Sequence, residues 1–211
     1  NIVDSLTPEQ KQIADFWDDN PFKLNVVGHV SYATKKFSPG GHWMNIVGIA
    51  TENKKLDFNS TVSTYTQASI ALFDAFISCW DTKFKTNYVR PETVITKNIN
   101  PDWRPYIQTP AFPEYTSGHA VISAATAEVL TAAFGDHIAF RDTSETEFGI
   151  PERSFKSFRE AAKEAGQSRV FGGIHYTNSC LVGTKQGVEV GRMVVERLKM
   201  KKIGLQTSAS N

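Results

Sequence analysis

Three short stretches hold residues whose types and spacing could do chemistry. In the first, Glu114-Tyr-Thr-Ser-Gly-His-Ala120, a proline-rich approach ends and a run of small residues at helical spacing begins. Ser117, Gly118 and His119 would occupy the first helical turn, where backbone N–H groups lack intrahelical partners and the helix dipole is positive. Such a turn is a socket for a tetrahedral oxyanion. Ser117 adds a hydroxyl, and Gly118 admits the anion to the backbone without a Cβ in the way. His119 brings an imidazole that exchanges protons near neutral pH.

The second stretch is Lys83-x6-Arg90-Pro91. Seven residues of helix rise ~10 Å in nearly two turns, so both cations can share a face. If the helix unwinds near Asn87, their length still lets them converge. The third is Ser168-Arg169-Val-Phe-Gly-Gly-Ile-His175. Arg169 offers a planar fork of donors that suits an oxyanion. Its Gly-Gly pair permits a tight turn or a close helix approach before His175. Each stretch also has an ordinary structural reading: a capped helix, a solvated helix end, and a core histidine beside Ile174 and Tyr176.

The rest of the chain must position these groups. Its 211 residues bound one large domain or two small ones, and with 40% hydrophobic and 21% charged residues it reads as an ordinary globular chain. A formal charge of +1 argues against a general nucleic-acid or acidic-membrane surface, so useful positive charge must be local. No stretch has the uninterrupted ~18 apolar residues of a membrane span. Cys79 and Cys180 form neither a disulfide framework nor a zinc pattern. Cys79 reads as a packed thiol, and nothing in the spacing supports a bridge between the two.

Thr7-Pro8-Glu9-Gln10 predicts a capped helix closed by Asn20-Pro21. Residues 22–41 read as polar turns, and His42 opens an apolar helix to about residue 51, with a structural role for His42 itself. A buried helix is expected from Ser60 through Trp80 and Lys83. Five of the nine prolines fall between Pro91 and Pro113, which predicts a long functional loop. Further helices are expected from Thr116 to about Ala133, from Pro151 to about Ala165 with Gly166 as a stop, and from about Leu181 to Lys199. Residues 135–150 read as a surface excursion and the tail after Gly204 as frayed. With few alternating β patterns and no linker, the expectation is a single all-α helical bundle over residues 1–211.

Taken in order, Lys-x6-Arg-Pro, Ser-Gly-His and Ser-Arg-x5-His resemble the pattern of the acid phosphatase and vanadium-dependent haloperoxidase superfamily. The resemblance covers residues 60 to 199, and Pro110-Ala-Phe-Pro-Glu-Tyr-Thr-Ser-Gly-His119 is similar to the bacterial haloperoxidase version of the middle motif. It implies that Lys83, Arg90, Arg169, Ser117 and Gly118 bind the oxygens of vanadate or phosphate. His175 would bond the central atom, as vanadate's one protein ligand, and His119 would be the acid–base group opposite. Trp80 and Phe112 match aromatic positions on the halide side.

The activity implied is vanadate-dependent oxidation of iodide or bromide by hydrogen peroxide, with Lys83 polarising the peroxide and hypohalous acid halogenating a small organic substrate. The alternative is a phosphatase that uses His175 as nucleophile and His119 as leaving-group acid, and a third reading is a non-catalytic phosphate-binding module. Many members carry Asp four residues after the metal-binding His; here that position is Ser179, which weighs toward the haloperoxidase unless Asn178 or Ser179 orients the ring. Asp102 and Glu114 are the candidate partners of His119 by proximity in sequence. Members usually have a longer N-terminal helical portion, so the chain reads as the site-bearing part of a longer protein or a trimmed member. A secreted or periplasmic location is the accompanying expectation. Oligomeric state is left open.

Overall fold

The computed structural model describes residues 3–20, 24–33, 38–200 and 202–203. Its central element is α5 (Gly118–Phe134), buried without interruption from Ala120 to Thr131. A helix that is apolar all round belongs inside a bundle. Around it pack α3 (Phe58–Thr86), α6 (Phe158–Phe171) and α7 (Thr177–Arg197). The small side chains of α5 explain the closeness. On α7, Gly183, Gly187 and Gly191 recur every four residues and so share one face. A Cβ on Gly187 would stand 2.1 Å from the Val121 carbonyl oxygen, and one on Gly191 2.6 Å from that of Ala125.

Backbone against backbone, this contact sets where the N-terminus of α5 lies. Gly187→Ala is therefore expected to destabilise the fold by ~3 kcal/mol, the upper end of overpacking costs. Gly183→Ala, whose Cβ would meet Ser117 O at 3.1 Å, should cost less. Chemical denaturation of the two variants checks the ranking.

α3 places Ala68, Ala71, Ala75, Cys79 and Lys83 on its buried stripe. Asp57 caps it by accepting the Ser60 N–H at 2.9 Å. Asn87 ends it in a left-handed conformation (φ 46°). The chain then reverses, so Arg90 leaves the helix axis and serves as the N-cap of α4 (Pro91–Asn98). This helix lies in the segment expected to be loop throughout. Pro91 occupies the first turn, where its missing N–H is no loss, so a proline read as a breaker is a starter.

The N-terminal α1 (Pro8–Phe16) has the expected capping box, Gln10 N–H to Thr7 Oγ1 at 3.2 Å and Thr7 N–H to Gln10 Oε1 at 2.9 Å. Residues 24–33, read as turns, form an antiparallel hairpin, β1 (Leu24–Val27) with β2 (Val30–Ala33). The α2 helix (Pro39–Asn53) starts three residues before His42, capped by Ser38. The stretch 135–150 is no surface excursion, because Phe140, Asp142 and Glu145 are buried. Pro151 starts no helix either: β3 (Phe140–Asp142) pairs with β4 (Arg153–Phe155), and α6 begins only after the Ser157 cap. It then runs through Gly166, which packs against Ala120 rather than stopping the helix. Cys79 and Cys180 are both free and buried. Among the described residues no helix is long and apolar enough to cross a membrane. The tail after Gly204 lies outside the described residues.

Candidate anion-binding site

Each candidate side chain comes from the end of an element. Lys83 lies in the last turn of α3, Arg90 caps α4, Ser117 caps α5, and Arg169 lies in the last turn of α6. His175 sits in the turn before α7, reached through the Gly172-Gly173 pair. Gly173 has φ +76°, and a Cβ on Gly172 would fall 2.5 Å from Ile107, so the pair supplies both a turn and a close approach. Ser117 N–H donates to Ser179 O at 3.2 Å, tying the starts of α5 and α7 together.

Backbone carbonyls aim the cations. Lys83 Nζ donates to Pro113 O and Glu114 O, both at 2.9 Å, which uses two of its three N–H bonds. Arg90 donates from Nε to Phe112 O at 3.1 Å and from Nη1 to Ile174 O at 2.9 Å. Arg169 donates from Nη1 to Trp17 O at 2.7 Å, and its Nη2 lies 3.9 Å from Asp18. Nothing in α6 predicts that last pair; the Trp17-Asp18-Asp19 turn after α1 is a wall of the site that local reading missed. Its one visible signal was two adjacent carboxylates before Asn20-Pro21.

His175 is fixed on both sides. Nδ1 lies 2.7 Å from Glu114 Oε1, and Nε2 lies 3.0 Å from Arg90 Nη1. Arginine cannot accept, so Nε2 carries the lone pair and Nδ1–H donates to Glu114. Burial, then Arg90, Lys83 and Arg169, push the imidazole well below its usual pKa, consistent with a neutral ring. Glu114 also accepts from Ser179 Oγ at 2.6 Å and from Tyr176 N–H at 3.0 Å.

This corrects two expectations. The carboxylate absent at position 179 is supplied by Glu114, with Ser179 bonded to it rather than to the ring, and Asn178 is exposed. The lack of Asp at 179 is therefore no argument against a nucleophilic His175. Nor do Glu114 and Asp102 serve His119: Glu114 is committed to His175, and Asp102 is exposed. The carboxylate facing His119 is Asp19, with Oδ2 3.7 Å from Nε2. Burial, then the Arg169 charge, push the His119 pKa down to about 4, against the pull of Asp19. It is a neutral imidazole at neutral pH.

Burial likewise pushes Lys83 down to about 8, helped by the Arg90 charge, and Arg90 to about 10, helped by the Arg169 charge. Ser117 Oγ, Arg169 Nε and His119 Nε2 are buried with no hydrogen-bond partner among the described residues. Crowded cations and orphaned polar atoms are expensive unless something satisfies them. A tetrahedral oxyanion fits that need: acceptors only, multiply charged, and able to take the Ser117 and Arg169 donors together. Phosphate or orthovanadate should therefore raise the melting temperature, by the equivalent of ~2.7 kcal/mol at a hundred times Kd. A thermal-shift titration with either anion, against chloride at equal ionic strength, checks it.

His119, Arg169 and His175 open onto a cavity of about 850 Å³ whose other walls include Leu72, Phe76, Trp80, Phe112 and Ile122. Trp80 stacks on Phe76 at 3.8 Å between centroids and meets Phe112 at 5.1 Å. Lys83 Nζ lies 5.7 Å from the Trp80 ring and 5.3 Å from Phe112, within cation–π range. So both aromatic candidates flank the charged cradle. Gly118 is at van der Waals range of Trp80, where a Cβ would come within 3.4 Å.

The helical bundle thus ends in buried cations, a helix N-terminus and two buried imidazoles, a cradle with the chemistry an oxyanion would need. The family model of the VCPO second helical-bundle domain matches residues 63–202, and the chain belongs to that family, the helical-bundle family of the vanadium-dependent haloperoxidases. It is similar to the crystal structure of a bacterial vanadium-dependent iodoperoxidase, with 48% identity and a TM-score of 0.87 over 96% of this chain and 48% of that one. Holo and apo structures of a bacterial vanadium-dependent chloroperoxidase share the fold, with TM-scores of 0.67 at 19% and 18% identity. These matches cover 94% of this chain and 46% and 47% of theirs. The chain thus spans about half the length of these relatives. No curated protein matches it.

Proposed function

We propose that this chain carries the vanadate site of a haloperoxidase, which uses hydrogen peroxide to oxidise iodide or bromide to hypohalous acid that halogenates small organic molecules. The carrying observation is the set of buried cations with orphaned Ser117 Oγ and Arg169 Nε, and the pair of histidines, His119 and His175, that line one cavity with Arg169. The likeness to the iodoperoxidase supports it.

Bound vanadate would act as a Lewis acid that activates peroxide toward the halide without changing its own oxidation state. Lys83, Arg90 and Arg169 would hold its oxygens, helped by Ser117 Oγ and the Gly118 N–H. His175 Nε2 would be the metal ligand once Arg90 Nη1, which donates to it here, turned to a vanadate oxygen, and Glu114 keeps that lone pair on the correct nitrogen. His119, neutral and buried, would take a proton from peroxide. The third N–H of Lys83 would polarise the oxygen to be attacked. Trp80 and Phe112 would exclude water and offer a polarisable wall to a large halide.

A second reading has its own support. The Glu114–His175 pair orients the imidazole as a nucleophile needs, so an acid phosphatase that forms a phosphohistidine is the alternative. Paired assays separate them. The protein loaded with orthovanadate is expected to oxidise iodide with peroxide. Absence of vanadate-dependent turnover of any halide sinks the proposal, and phosphate-ester hydrolysis lost in His175→Ala would establish the alternative.

A further inference from the structure

Beneath Asp19 lies a second histidine that the chemistry above does not use. His42 is wholly buried, stacked on Trp17 at 4.6 Å and edge-on to Phe16 at 5.3 Å. Its Nδ1 lies 3.0 Å from Asp19 Oδ1, and its Nε2 lies 3.0 Å from Asp142 Oδ2. Glu145 Oε1 is 3.6 Å from Nδ1. A neutral imidazole has one N–H and one lone pair. Two ring nitrogens each facing a carboxyl oxygen at hydrogen-bond length therefore fit the imidazolium, which donates from both.

We propose that His42 is a permanently protonated positioning residue, which holds Asp19 by Oδ1 so that Oδ2 faces His119. The line His42–Asp19–His119 draws on α2, the turn after α1 and the first turn of α5. Burial opposes protonation of His42, but Asp19 and Asp142 outweigh it and push its pKa up to about 10. Burial alone would raise the Asp19 carboxyl; the His42 charge and hydrogen bond, with the nearby His119, instead hold it well below the usual range. Among the described residues, Asp19, Asp142 and Glu145 face His42, and Asp19, Asp18, Arg169 and His175 surround His119. Without the imidazolium, the pull of Asp19 on a proton at His119 would be less offset, and His119 would hold its proton to higher pH.

The part concerning His119 rests on its acid–base role above; the charge of His42 does not. Ring-nitrogen NMR of the wild-type protein reads that charge directly. Both His42 nitrogens are expected to be protonated at pH 8, whereas a bare-nitrogen signal there overturns the proposal. A raised pKa also makes the stability due to His42 complete below about 6.5 and lost as pH climbs through about 10. The fall in denaturation midpoint from pH 7 to 10 should therefore shrink in His42→Gln, and an unchanged fall counts against it.

In the same variant the acidic limb of the halide-oxidation profile should move up by about one pH unit or more, with orthovanadate affinity within about twofold. A purely structural histidine would lower the melting temperature and leave the limb in place. Asp19, His42 and Glu145 also bring ligand atoms within 4.8 Å of one another, a spacing a divalent cation could use. Zinc or manganese that shifts the His42 ring signals at stoichiometric concentration would replace the imidazolium assignment. If the wild-type protein oxidises no halide, the functional reading fails while the NMR measurement still decides this one.

Discussion

Replacing His119 with alanine is expected to lower vanadate-dependent iodide oxidation by ~10²–10⁴-fold, the usual contribution of a positioned acid–base group. Orthovanadate affinity should change far less. The reason is geometric: His119 makes no hydrogen bond to Lys83, Arg90, Arg169 or His175, and the carboxylate it faces is Asp19, at 3.7 Å. Its imidazole, with a pKa near 4, cannot supply a fixed positive charge to the anion at neutral pH. Rates measured at saturating vanadate, beside an affinity measured by thermal shift, separate the two effects. An equal loss in both would mean that His119 is part of the cradle and not a proton carrier.

Substitution of Glu114 tests the other imidazole. Glu114→Ala removes the acceptor of His175 Nδ1–H and strands Ser179 Oγ and Tyr176 N–H at the same time. Only Arg90 Nη1 then holds the ring against the other tautomer, which would put an N–H where the lone pair should be. An effect of ~10–100-fold on vanadate affinity is expected, as for other carboxylates that orient a ligating histidine. Breaking a buried charged network should also destabilise the fold by ~3–5 kcal/mol. Ser179 already contacts the displaced carboxylate, so Ser179→Asp in the Glu114→Ala background should recover part of the affinity. Recovery there would show that the carboxylate can reach His175 from either position. If Glu114→Ala binds vanadate as tightly as the wild type, the lone pair on Nε2 is not set by this bond.

Local chemistry made much of the site legible in advance. Ser117 caps α5 and Gly118 opens it because small residues and unpaired N–H groups belong at a helix start, whatever surrounds it. Lys83 and Arg90 could be paired from spacing, although they meet by a left-handed turn at Asn87 and not along one helical face. Partnerships across the fold were another matter. Glu114 and His175 are 61 residues apart, and Asp142 reaches His42 across 100, so no periodicity links them. Proline has no single local meaning. Pro91, in a proline-punctuated stretch that predicts a loop, starts α4, while Pro151, which predicts a helix start, precedes β4. The same fixed φ suits both settings, and only the hydrogen-bond partners downstream distinguish them.

The amino-acid sequence by itself determined the helical bundle, the two cation-bearing motifs and the anion socket at the start of α5. Each rests on residues within about two turns of one another, where spacing and side-chain type are sufficient. Tertiary structure alone decided which carboxylate serves which histidine: Glu114 for His175, and Asp19, backed by His42, for His119. Charge pairing in a buried site is settled by distances of a few ångströms and by the exclusion of water. Those exist only once α1, α2, α5 and α7 have packed.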